Sequence, residues 1–136
     1  MSRKIFALAV IAAAAAAPAF AHHSFAIFDQ SKVLYATGTV KEYELVNPHA
    51  WLHVNVAGKD GKTAMWSFEA GSVAQLAALG WKADSFRVGD KVEVGFRPMK
   101  DGSRGGQFMS AKLATGQTLR SNRGCGDGSG KVLAPF

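Results

Sequence analysis

The clearest alternation in the chain is "HAWLHVNVA" at 49–57. Leu52, Val54 and Val56 fall on one side of an extended backbone, and His49, Trp51, His53 and Asn55 on the other. This period of two predicts a half-buried strand. The preceding stretch "VLYATGTVKEYELV" at 33–46 is rich in β-branched and aromatic residues and predicts a long first strand, with a bulge or sharp bend at Gly38. Asn47-Pro48 closes it, because proline removes a ladder donor. After the second strand comes the turn "GKDGK". A three-residue loop with Gly61 left-handed would pair residue i with residue 120 − i. Leu52, Val54 and Val56 then share a face with Ala64, Trp66 and Phe68, while Trp51, His53 and Asn55 lie opposite Glu69, Ser67 and Met65. A two-residue loop would mix the two classes, so the first register is the one expected.

"SVAQLAALG" at 72–80 supplies a serine N-cap, helix formers and a terminating glycine, which predicts a helix of about two turns. Trp81 and Phe86 are expected to pack this segment on the end of the sheet. A turn at Gly89-Asp90 leads into a fourth strand at 91–97, with Val92, Val94 and Phe96 alternating, and a fifth strand is expected at 107–113. Three strands, a short helix and two further strands match a small five-stranded OB-like barrel, all-β with one short helix. A generic antiparallel sandwich is the alternative. From Arg120 the chain turns to Gly and Ser, with too few apolar residues for a core, and is expected to be a mobile tail. The organisation expected is therefore a leader at 1–21, a barrel domain at 22–119 and a tail at 120–136.

The leader is read from Arg3 and Lys4, an apolar run from Ile5 to Ala17, and Ala19 and Ala21 two apart. That is the layout of a secretory signal peptide cut after Ala21. The run is shorter than the roughly 20 residues of a spanning helix, so no stable membrane anchor is expected, and the product would be periplasmic or secreted. The net charge of +6 falls to +4 once Arg3 and Lys4 are gone. The remaining cations are scattered, and export argues against nucleic acid as a partner. Cys125 is the only cysteine, so the fold must stand without an internal disulfide.

Three segments, "AHHSFAIFD", "TGTVKEYELVNPHAWLHVNV" and "GDKVEVGFRPMKDGS", resemble the secreted bacterial family of domain of unknown function 6152, over roughly residues 20–119. The resemblance implies a small exported β-rich protein with His22, His23, Ser24, Phe25, Asn47, Pro48, His49 and Trp51 at the motif positions. It implies no activity.

The four histidines are His22, His23, His49 and His53. Cleavage after Ala21 would make His22 a chelate, because its α-amine and its ring nitrogen can close on one ion. A third imidazole would complete a three-nitrogen site suited to Cu(II), and in this respect the start is similar to the copper sites of lytic polysaccharide monooxygenases. His49 and His53 lie four apart on a strand, roughly 13 Å, so one of them and not both would join, with His23 a further ligand. Without a metal, the face of the second and third strands would offer Trp51, Met65 and Glu69 to a glycan or a periplasmic protein. Trp51 has a plainer alternative, burial under Phe25, Ile27 and Phe28. No Ser-His-Asp spacing, phosphate loop or Cys-x-x-Cys is present, so the sequence points to a binding or accessory protein and not to an enzyme.

Overall fold

The computed structural model describes residues 24–122. Residues 1–23, which hold the expected leader, His22 and His23, and residues 123–136, which hold Cys125 and most of the expected tail, lie outside the described residues. A 3-10 turn at Ser24–Ile27 precedes β1 (Leu34–Glu44), β2 (Trp51–Ala57), β3 (Thr63–Glu69), α1 (Val73–Ala78), β4 (Lys91–Pro98), β5 (Gly105–Leu113) and β6 (Thr118–Arg120). Antiparallel pairing runs β3-β2-β1-β4-β5-β6, and a parallel β3–β5 seam closes the first five strands into a barrel. With α1 between β3 and β4, this is the OB arrangement. β6, which the sequence pattern does not announce, extends the sheet beyond β5 and includes Arg120, paired with Ser110.

The β2–β3 hairpin has the register expected from its turn, from Trp51↔Glu69 to Ala57↔Thr63, with Gly61 at φ +76°. Leu52, Val54, Val56, Trp66 and Phe68 are accordingly buried. Gly38 pairs with both Val56 and Val92, so it is where β1 passes from β4 to β2. A Cβ there would overlap the Asn55 carbonyl oxygen. The register irregularity itself falls at Lys41, between Val40 and Glu42, and not at Gly38.

α1 is held at its start by a capping box between Ser72 and Gln75 and followed by Gly80 at φ +90°. It buries Leu76 in the barrel end. Trp81 and Phe86 pack beside it as expected, in edge contacts with each other at 5.4 Å and, for Trp81, with Phe108 at 5.0 Å.

Tyr43 completes this aromatic group, 5.2 Å from Phe86, and its hydroxyl donates to Lys82 O at 3.3 Å. Burial disfavours the phenolate and pushes the Tyr43 pKa up to about 12, from an ordinary value of 10.0. A pKa raised by folding gives stability that is complete below the unfolded value and is lost as pH climbs through the folded one. The expected result is a late phenolate absorbance step near pH 12 that coincides with alkaline unfolding. Tyr43→Phe should remove that step, and a Tyr43 that titrates near pH 10 would contradict its packing.

Candidate functional site

The corner between β1 and β2 is built from the motif residues 47–51. Asn47 Oδ1 accepts the Val73 N–H at 3.1 Å, tying the corner to the first turn of α1. The Asn47–Pro48 peptide is cis. Ala50 is fully buried, donates to Gly71 O at 3.0 Å and accepts from Ala70 N at 2.8 Å. These two bonds fix His49 beside the end of β3. Its Nδ1 lies 3.2 Å from Ala70 O and 3.3 Å from Glu69 Oε1. A carbonyl oxygen only accepts, so Nδ1 carries the hydrogen, and in the neutral ring the lone pair sits on Nε2.

His49 and Glu69 stand in a cleft of about 470 Å³ at this end of the barrel, whose lining includes Phe25, Phe28, Gln75 and Phe108. The N-terminal segment forms one wall. Asp29 N donates to Pro98 O at 2.8 Å, Lys100 N donates to Ile27 O at 2.9 Å, and Phe28 bridges to Met99. Gln30 braces the same wall, accepting from Arg97 and donating to Phe25 O and to Gln107 Oε1. Phe28 is buried, but Phe25 is 50% exposed.

His53 sits elsewhere. Its Nδ1 meets Ser67 Oγ at 2.9 Å across β3, and its Nε2 meets Glu44 Oε2 at 3.5 Å across β1. The carboxylate accepts from Nε2, so Nδ1 accepts from the serine hydroxyl, and both ring nitrogens are engaged. Ser67, His53 and Glu44 are the residue types of a hydrolytic triad. Neither Ser67 nor His53 lines the barrel-end cleft, and the outer bond is long.

The structure therefore separates the expected site residues into two groups. His49 and Glu69 meet in the cleft, whereas His53 lies under Trp51, their rings stacked with centroids 6.2 Å apart and planes within 4°. The N-terminal segment bridges through Phe28 to Met99, just past the end of β4, and Trp51 is half-buried. Met65, 47% exposed, pairs with Asn55 two steps further along the same face. Glu69 faces His49 at the other end. Among the described residues no three His, Cys, Asp or Glu side chains gather as a metal-holding group. Gln75, Gln107 and Phe108 entered the cleft without any sequence signal. Glu69 had one, since the hairpin register places it at the very end of β3.

The model of DUF6152, a family of unknown function, matches residues 9–109. The chain belongs to this family. No curated protein and no solved structure matches it. The DUF6152 span takes in the 47–51 corner, Glu69, Gln107 and Phe108, and it stops inside β5, so β6 and the Ser121 and Asn122 edge of the cleft lie beyond it.

Proposed function

We propose that this protein is an exported binding or accessory protein, periplasmic or secreted after cleavage behind Ala21, that holds Cu(II) at the barrel end. The His22 amine and ring supply two nitrogens, His49 supplies the third, and His23 is a further ligand. The supporting observation is that Phe25 lines the same cleft as His49. Two peptide steps separate Phe25 from His23 and three from His22, a reach of roughly 7–11 Å. The second support is the orientation of His49. A ring whose Nδ1–H is taken by a carboxylate and a carbonyl presents Nε2 as a ligand, the outer-shell arrangement common to metal-bound histidine. His53 would have to break a bond first.

Calorimetry on protein beginning at His22, compared with protein carrying one extra N-terminal residue, tests the chelate. The extra residue and His22→Ala should each weaken Cu(II) binding by more than about 100-fold, beyond the usual cost of losing an outer-shell partner. His49→Ala should weaken it as well, and His53→Ala should leave it unchanged. Equal affinity in the processed and extended forms would remove the amine from the mechanism.

A metal-independent reading rests on the Trp51–His53 stack, a flat aromatic surface beside Met65 that suits a glycan or a periplasmic protein. Capture that is lost in Trp51→Ala and indifferent to chelator would favour it.

A further inference from the structure

The barrel-end cleft has a charge unlike that of the whole molecule. The chain has 16 Lys and Arg against 10 Asp and Glu. Among the described residues the cleft lining holds one carboxylate, Glu69, and neither Lys nor Arg. The Glu69 side chain is only 13% exposed, so a charge placed beside it is screened less by water than at the open surface. His49 meets its Oε1 oxygen alone, which leaves acceptor capacity for a second donor. Much of the remaining wall is aromatic and apolar, with Phe28 and Phe108 below and the half-exposed Phe25 at the mouth. The Gln75 and Gln107 amides add polarity to it without charge. At about 470 Å³ the cleft falls within the range of small-molecule sites.

We propose that this cleft binds a small organic ammonium ion with an apolar, ring-sized body. Its N–H groups donate to Glu69, and its body lies against Phe25 and the cleft floor. The electrostatic reasons act together. An aromatic face attracts a cation through its quadrupole, and a poorly hydrated carboxylate does so through its charge. An anion would meet Glu69 with neither Lys nor Arg in the described lining to offset it, and a neutral ligand of the same shape would gain the apolar contact only. Recognition of this kind uses Glu69 and the cleft walls and no metal ligand; it meets the copper reading only at the His49–Glu69 bond.

The test uses the full exported chain in the presence of chelator, titrated calorimetrically with benzylamine, benzyl alcohol and benzoate. Benzylamine should bind at least about tenfold more tightly than benzyl alcohol, and benzoate more weakly than either. Glu69→Gln should bring benzylamine down to the level of the alcohol. Ala78→Lys provides a second variant, because Ala78 is an exposed helix residue on the cleft wall. Adding a cation there should reduce benzylamine binding and relieve the rejection of benzoate, without disturbing the core. Equal binding of benzylamine and benzyl alcohol, or unchanged discrimination in both variants, would overturn the proposal. Titration of the same proteins with Cu(II), in chelator-free buffer, keeps the two readings apart. Copper binding that fails while amine discrimination persists removes only the chelate, and the reverse removes only the ammonium site.

Discussion

Replacing Gly105 with alanine should destabilise the barrel by about 3 kcal/mol or more. Gly105 has φ +139°, a conformation that costs a residue bearing a Cβ roughly 1–3 kcal/mol. It also stands against β3, where an added Cβ would overlap the Ser67 carbonyl oxygen. The backbone there cannot give way cheaply, because Ser67↔Gly105, Phe68↔Gly106 and Glu69↔Gln107 are the whole of the parallel seam that closes the barrel. Total stability for a domain of this size is about 5–15 kcal/mol, so the loss is a large share of it. Gly102→Ala is the matched control. It too has positive φ, +78°, but a Cβ there meets nothing within 4 Å, and the cost should stay near 1 kcal/mol. Urea unfolding of both variants measures the difference. A Gly105→Ala protein as stable as Gly102→Ala would mean that the seam is open in solution.

Trp81→Ala should cost about 3–5 kcal/mol, the range for removing a large buried aromatic. Trp81 is 3% exposed and touches Tyr43, Phe86 and Phe108. Its indole Nε1 also donates to Arg120 O at 2.9 Å, which pins β6 to the core. Trp81→Phe separates the two roles, keeping most of the ring packing and losing the bond, at a cost of about 1 kcal/mol. The same variant should loosen β6, and with it the Ser121 and Asn122 edge of the cleft. Hydrogen exchange reports this directly: the amides of β6 should lose protection in Trp81→Phe while those of β2 keep theirs. Unchanged protection in β6 would assign its order to strand pairing alone.

What the sequence makes readable in this protein is local. The β2–β3 register follows from one turn, because a side-chain period of two lets a single glycine decide which face is apolar. The span of α1 follows from Ser72 and Gly80. The barrel order follows from counting elements. The closing seam is hidden because Gly105 and Gly106 read as loop residues, whereas the missing side chain of Gly105 lets β5 approach β3 and that of Gly106 lets it approach β4. β6 is three residues long with one buried side chain, Leu119, too little for any periodicity. The same limit applies to the candidate site. His49 lies upstream of the β2 ladder, behind Pro48, so the hairpin register stops short of it and only the tertiary bonds of Ala50 bring it to Glu69. Asn47 reads as a strand terminator, yet its side chain serves the first turn of a helix 26 residues away. His22 and His23, which carry the copper proposal, are read from the sequence alone.

The run of the N-terminal segment along Pro98, Met99 and Lys100 decides where a handle can be attached to this molecule. β2 leads away from the corner at His49, so the hairpin tip at Lys59 to Gly61 is roughly 20 Å distant, at the far pole of the barrel. An epitope or dye grafted into that tip would leave the cleft accessible for immobilised assays. A fusion joined ahead of Ser24 would emerge beside the mouth and compete with whatever is offered to it.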